Sequence, residues 1–408
     1  CPIHEYWGST KFEIIELLFS CGVMYMTYLI AKDFFGEDVG IVSASLLIIT
    51  PVFFKYSSFI LTAIPSTLFV LVALWFFYKK KSYKLSGFFA GIAFLTRFPQ
   101  VLFVFAVLLY LLIRLYRSKK KKLVIMDSLR FGLTALITTV PFFLFNLIYY
   151  SKETSSWYHA MFRPLIYASN IITSTYLWLY ESTPWFYIVG LIKDNALFLF
   201  GLIGIALLVA YRKNLKKSSL LLIVFFVYLL YFSTQNRMEY RYVLSFLPYF
   251  CMFCAFGLLK AGKYLYKQKK AIGKIAFMVF LLFITVVVAM KTSENMNTIH
   301  HRSYSKPAMV SEVYDFLKIS PLKGTVITTD PLIGVYIDNR VIPAYYSLND
   351  LEYAMKKYDF SAIFMVPRAF PCKGDDLKCK KQKKNIMGNV ILDNNLILNK
   401  KFHGNDYY

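Results

Sequence analysis

The stretch Phe232–Phe250, FSTQNRMEYRYVLSFLPYF, opens with Gln235, Asn236, Arg237, Glu239 and Arg241 between two apolar segments, Leu220–Tyr231 and Val243–Leu259. Two guanidiniums in so short a loop are costly at a membrane unless they face water, an acidic partner or an anionic ligand. The planar fork of arginine matches phosphate or carboxylate, so the chemistry on offer is an anion site at the membrane face. The plainer alternative is a solvated loop with an internal Glu239–Arg pair. A third guanidinium, Arg97, follows another apolar run. The apolar run Leu85–Leu95 with its flanks covers about 20 Å as helix, against roughly 30 Å of hydrocarbon, and Pro99 ends it. Thr96 and Arg97 are therefore expected below the membrane surface. There Arg97 must meet a cavity, a partner or a phosphate, or else snorkel to the headgroups.

Other polar and reactive groups are sparser. The segment 151–193 is rich in Tyr and Trp and carries Trp157, His159, Arg163 and Glu181. Aromatics with scattered polar groups suit a sugar or headgroup surface, and an interfacial aromatic belt has the same composition. Cys372 and Cys379 flank the polar loop PCKGDDLKC and are expected to close it as a disulfide. Cys21, Cys251 and Cys254 lie in apolar segments and read as packing residues. No set of metal-ligating residues has zinc spacing, so no metal site is assigned. Neither GxGxxG nor GxxxxGK[ST] occurs, so no nucleotide cradle is expected.

The elements that must hold these groups are helices in a bilayer. The 408 residues are 57% hydrophobic and 19% aromatic, and the apolar residues come in blocks of about 15–22, the pattern of a polytopic membrane protein. About ten spanning helices are expected. The net charge of +24 falls mainly in short loops: Lys79–Lys81, Arg117–Lys122, Arg212–Lys217 and Lys260–Lys274. That is the positive-inside pattern, not a nucleic-acid face. Strict alternation then places residues 1–12, the turns near Lys55–Ala63 and Arg97–Pro99, the loop 151–193, the cluster 234–241 and everything after about residue 291 on the outer side. One loop resists: KDFFGEDVG should be cytoplasmic yet carries Asp33, Glu37 and Asp38. After a polar linker at 292–306, residues 307–408 alternate short strands (GTVIT, Leu332–Ile337, Val341–Tyr346, SAIFMV) with helical stretches, which predicts a small extracytoplasmic α/β domain. The expected architecture is thus a mainly α transmembrane bundle over 13–291 with a C-terminal α/β domain.

The segments KDFFGEDVGIVSASLLIITPVFFKYSS, LTAIPSTLFVLVALWFF, LSGFFAGIAFLTRFPQVLF and NRMEYRYVLSFLPYF, in this order, resemble multispanning glycosyltransferases of the GT-C fold, of the protein mannosyltransferase and aminoarabinose transferase type. The resemblance covers roughly residues 12–260. It implies transfer of a hexosyl or pentosyl group from a polyprenyl-phosphate (dolichyl-phosphate-like) donor to a lipid, glycan or protein acceptor on the outer face, with inversion and without a nucleotide. It implies basic residues around the leaving lipid phosphate, for which Arg97, Arg237 and Arg241 are the candidates, with Glu239 as their orienting partner. A divalent metal at that phosphate is left open. The resemblance also implies an acidic base in a first outer loop that follows one earlier helix. This chain starts at Cys1 and is expected to lack that helix and most of that loop; His4 and Glu5 are what remains, and Glu5 is the one carboxylate available there. A second departure is Ala63-Ile64-Pro65, where relatives often carry D-x-P.

A transporter or lipid flippase is the competing reading. Transporters hold ionisable groups near the bilayer midplane on broken helices, whereas the charges here collect at helix ends. A non-catalytic relative of the enzymes is the third.

Overall fold

The computed structural model describes residues 2–57, 61–151, 156–162, 165, 185–235, 239–267 and 271–304. Toward the C-terminus it describes 324–328, 340–343, 354–355, 357–364, 381, 384, 400–402 and 405–407. The chain divides into two compact units, residues 1–167 with 183–298, and residues 168–182 with 299–408.

The first unit is a polytopic helical bundle. Its helices are α1 (Pro2–Phe35), α2 (Glu37–Ile49), α3 (Pro51–Tyr56), α4 (Ala63–Tyr78), α5 (Tyr83–Thr96), α6 (Val101–Arg117), α7 (Lys121–Tyr150), α8 (Phe186–Asp194), α9 (Leu199–Ala210), α10 (Arg212–Ser233), α11 (Leu247–Tyr266) and α12 (Ala271–Tyr304). Among the described residues, four stretches are long and apolar enough to cross a membrane: Ile14–Phe35, Phe98–Arg117, Lys121–Tyr149 and Lys274–Asn297. Their outward faces carry large bare apolar side chains such as Leu18, Phe105, Ile137 and Leu282. In water that surface would be a liability; in a bilayer it is the required solvent match.

Side-chain contacts sort the helix ends into two sets. At one end Lys79 bonds Asp33 at 2.5 Å and Lys263 reaches Asp38 at 3.4 Å. At the other, Asn295 donates to the Ile49 carbonyl at 3.2 Å and Thr67 to the Leu244 carbonyl at 3.3 Å. The helices therefore run alternately between a basic-loop end and an opposite end. The acidic loop that resisted the charge pattern lies at the basic end, and its three carboxylates are each paired with a lysine there, Glu37 with Lys32 at 3.1 Å.

Local sequence explains the joints. Gly36 joins α1 to α2 in one residue with φ of 108°, a conformation glycine adopts without a Cβ penalty. The apolar run that begins at Ile41 is broken in two: Thr50 is extended ahead of Pro51, which starts α3, because a proline disfavours helix at the residue before it and suits the first helical position. α9 crosses α11 at a pair of glycines. A Cβ on Gly204 would lie 2.0 Å from the Phe253 carbonyl oxygen, and one on Gly257 would lie 2.1 Å from that of Phe200, so the two backbones touch as small residues allow. Residues 292–304, expected as a polar linker, instead continue α12 as helix.

The second unit contains a three-stranded parallel sheet in the order β2-β1-β3, with β1 (Val326–Thr328), β2 (Val341–Pro343) and β3 (Ala362–Phe364). These are the cores of three of the expected strands. β1 is buried throughout, as suits the centre of a layered α/β unit. An antiparallel pair, β4 (Lys400–Phe402) and β5 (Asn405–Tyr407), was not anticipated.

Candidate functional site

The site is built at the end opposite the basic loops, where three chain segments meet. The first is the break after α5. Arg97 is extended, and Phe98–Gln100 form a single tight turn before α6. The second is the first turn of α4, with Ser66 and Thr67. The third is Tyr240–Ser245, a 3₁₀ turn leading to α11. Residues three apart eclipse on a 3₁₀ turn, so Tyr242 and Ser245 share a face. Arg97 meets both: its guanidinium sits 5.3 Å from the Tyr242 ring centre, and Nη1 donates to Ser245 Oγ at 3.4 Å. Tyr242 is itself stacked on Phe232, with ring centres 5.0 Å apart, which fixes the platform under the cation.

Below Arg97 lies a buried neutral network. Gln100 is fully buried; its Nε2 donates to Ser66 Oγ at 2.9 Å and, at a long 3.5 Å, to Ser245 Oγ. The Tyr228 hydroxyl donates to Gln100 Oε1. Every contact of Gln100 is to a neutral group, so the network positions the loop without cancelling the Arg97 charge. Arg97 forms no ion pair among the described residues. A guanidinium has five N–H donors; this one is half-buried and has one long hydrogen bond and a ring face.

Arg241 differs. It is ion-paired with Glu239, whose side chain is mostly buried. The Tyr240 hydroxyl donates to Asp194 Oδ2 at 2.7 Å, tying this segment to the end of α8. Burial raises the pKa of Asp194, and the Tyr240 hydrogen bond and Lys291 partly oppose it. The Tyr240 hydroxyl is pushed up by burial and by Asp194. Tyr187 on α8 is fully buried, its hydroxyl has no partner among the described residues, and burial raises its pKa, with Tyr242 and Glu239 adding to it. Glu16 on α1 is 4% exposed, and its Oε1 has no partner among the described residues. It lies at this same end, where Ser20 reaches the Ser57 carbonyl at 3.5 Å.

Of the residues expected from sequence, Arg97, Arg241 and Glu239 are brought together. Glu5 lies on the first turns of α1. Trp157 and His159 sit exposed on a short helical stretch, with Tyr158 against His159 at 4.3 Å, and no hydrogen bond or ring contact among the described residues joins them to Arg97. Arg237, Arg163, Glu181, Cys372 and Cys379 lie outside the described residues. Cys251 and Cys254 are buried free thiols, and Cys254 Sγ donates to the Leu197 carbonyl at 2.9 Å. Among the described residues no three of His, Cys, Asp and Glu converge as a metal cage. Gln100, Ser66, Tyr228, Tyr242, Ser245 and Glu16 do not stand out from the sequence. Two still carry a signal: Gln100 and Glu16 are polar residues at or inside apolar runs, which in a membrane need a reason.

Residues 8–145 match the family model of dolichyl-phosphate-mannose-protein mannosyltransferases. Among solved structures, the chain is similar to ArnT from Cupriavidus metallidurans in the apo state, at 13% identity and a TM-score of 0.58, over 97% of this chain and 82% of that one. It is similar to the same protein bound to undecaprenyl phosphate, at 13% identity and a TM-score of 0.55, over 98% and 83%. It also resembles the Archaeoglobus fulgidus oligosaccharyltransferase, in a complex with zinc and sulfate, at 13% identity and a TM-score of 0.52, over 87% and 56%. The fold is that of the GT-C glycosyltransferases. No curated protein sequence matches.

Proposed function

We infer that this GT-C chain is an integral-membrane glycosyltransferase that takes a sugar from a polyprenyl-phosphate donor and passes it to an acceptor at the end of the bundle opposite the basic loops, with inversion. The observation that carries the reading is Arg97: a half-buried cation on an aromatic platform, with no carboxylate partner among the described residues. Such a group is poised for an anion. The bound form of one structural relative, with undecaprenyl phosphate, supplies an anion of the right kind.

In the proposed step the acceptor oxygen attacks the anomeric carbon opposite the phosphate. The carbon–oxygen bond to phosphate breaks, its electrons go to the phosphate, and the acceptor proton goes to a carboxylate. Arg97, assisted by Arg241 and by Arg237 from the adjoining loop, stabilises the charge growing on the phosphate. A fixed cation in a partly dry site is worth most there. Glu239 orients Arg241. Glu5 is retained as a proton acceptor from the sequence reading; Glu16, buried at the same end, is the second. Trp157, His159, Arg163 and Glu181 are assigned to the acceptor side.

Positive-inside bias supports a reading in which the site and the segment 307–408 lie outside the cytoplasm. A Gln235→Cys variant should react with an impermeant thiol reagent from outside intact cells, and Lys120→Cys only after permeabilisation; the reverse result overturns the orientation. The chemical test is transfer from a polyprenyl-phosphate sugar by purified protein, comparing wild type with Arg97→Ala. Wild-type rate in the variant would remove Arg97 from the leaving-group role. Counterflow of a labelled solute in vesicles holding this protein alone would favour the transporter reading.

A further inference from the structure

A second site lies at the basic-loop end, far from Arg97 along the helices. A cavity of about 660 Å³ begins beside the Gly204–Gly257 crossing and continues toward that end between α9 and α11. Its inner wall is apolar: Ile203 and Leu207, one turn apart on α9, face Phe256 on α11. Its mouth is cationic, with Lys260, Lys263 and Lys267. Their spacing of three and four residues puts Lys260 and Lys263 on one stripe of α11, continuous with Phe256, with Lys267 at the helix C-cap.

The charges on this stripe are poorly neutralised. Lys263 reaches Asp38 at 3.4 Å, with both side chains mostly exposed, so water screens that pair. Lys260 lies over the Phe256 ring, 5.6 Å from its centre. Lys267 has no ion pair among the described residues. Lysines near a helix C-terminus interact favourably with its dipole, which accounts for the charges but not for the apolar hollow behind them. Two exposed tyrosines, Tyr211 and Tyr264, flank the mouth. Tyrosine collects at the headgroup level of a bilayer, which sets the depth: lysines among headgroups, Ile203 and Leu207 among acyl chains.

We propose that this cavity is a binding site for an anionic phospholipid of the leaflet at the basic-loop end, the phosphate held by Lys260, Lys263 and Lys267 and the upper acyl chain lying on Ile203, Leu207 and Phe256. Charge complementarity and the amphipathic order of the lining, cation at the mouth and hydrocarbon within, select this occupant over a soluble anion, which would leave the apolar wall unused. The volume falls within the range of small-molecule sites. The proposal is independent of sugar transfer at the opposite end.

The test is native mass spectrometry of the purified full chain, titrated in detergent with phosphatidylglycerol or phosphatidylcholine of equal chain length. Wild type should retain phosphatidylglycerol at least about tenfold more tightly. The triple variant Lys260→Gln, Lys263→Gln, Lys267→Gln should lose that preference, and the triple Lys→Arg variant should keep it. Ile203→Trp, which fills the hollow and leaves the charges, should also weaken retention. If the Gln variant melts early in lipid-free detergent, Ile203→Trp decides. Equal retention of the two lipids, a preference unchanged in both the Gln and Trp variants, or displacement of phosphatidylglycerol by millimolar inorganic phosphate would each overturn the proposal; the last would reassign the site to a soluble anion.

Discussion

The two ends of the bundle use the same kinds of residue to opposite effect. At the basic-loop end Asp33, Glu37 and Asp38 each sit against a lysine, mostly in the open. At the opposite end Arg97 is drawn into the protein, rests on Tyr242 and has neutral groups beneath it. The first arrangement spends charge on neighbours that water already screens. The second keeps a charge in hand where the surroundings are drier. A cation held by a close carboxylate of its own protein is less available to a ligand than one supported only by a hydroxyl and a ring. Arg241, ion-paired with Glu239, stands between the two cases.

The contrast predicts an order of effects. Arg97→Ala should lower kcat for transfer by roughly 100- to 1,000-fold, the usual cost of removing one preorganised charge stabiliser. Arg97→Lys should recover only part, since a point charge cannot reproduce the planar fork on Tyr242. Arg241→Ala should cost less, about tenfold, near the low end for a charge-assisted hydrogen bond, because Glu239 already claims part of that guanidinium. Purified variants assayed with the same donor would check both. Equal losses at the two positions would break the distinction between a free and a tethered arginine.

The support beneath Arg97 should show in stability. Gln100→Leu leaves the Tyr228 hydroxyl without its acceptor and Ser66 without its donor, at about 1–3 kcal/mol for a buried unsatisfied polar group. Removing Tyr228 Oη as well, in Gln100→Leu/Tyr228→Phe, should bring thermal unfolding in detergent back toward wild type. The double-mutant cycle separates this hydrogen bond from simple loss of packing.

Much of this was legible in advance, and the reason is physical. Spanning helices and positive loops are dictated by the bilayer, which leaves few alternatives. Arg97, Glu239 and Arg241 stand out in the sequence because ionisable residues near apolar runs are costly and so conspicuous. The cradle was not legible. Ser66, Tyr228 and Ser245 are ordinary residues of apolar segments, and only tertiary contact, across 145 positions between Gln100 and Ser245, gives them a role. The acidic loop looked wrong for a related reason: its partners, Lys79 and Lys263, are distant in sequence and adjacent in space. Breaks such as Thr50–Pro51 interrupt a run that is continuous in hydropathy, so windowed apolarity merged α2 with α3.

Asp194 gives a smaller, pH-dependent effect. Burial raises its pKa in the folded state, so the folded chain holds this proton more tightly than the unfolded chain. Its contribution to stability is complete below the ordinary Asp value of about 3.9 and is lost as pH rises through the folded value. Asp194→Asn should flatten thermal stability across that window and leave the Tyr240 hydroxyl an amide oxygen to bond. A pH profile identical to wild type would show that Asp194 is not held in the buried setting at the end of α8.

The smallest effect belongs to the basic-loop end. Lys79 bonds Asp33 at 2.5 Å, with the lysine side chain 53% exposed and the aspartate 17%. An ion pair this open is worth about 0–1 kcal/mol, and less as salt rises because the Debye length shortens. Lys79→Ala should therefore shift unfolding only slightly in low salt and not measurably in 0.5 M salt, with transfer unchanged. The charge-reversed pair Asp33→Lys/Lys79→Asp should restore part of what was lost, since it keeps the attraction although the larger lysine must fit where Asp33 is only 17% exposed. If Lys79→Ala instead abolished transfer while the fold persisted, the basic-loop end would share in the chemistry, and the division of labour between spent and reserved charge would fail.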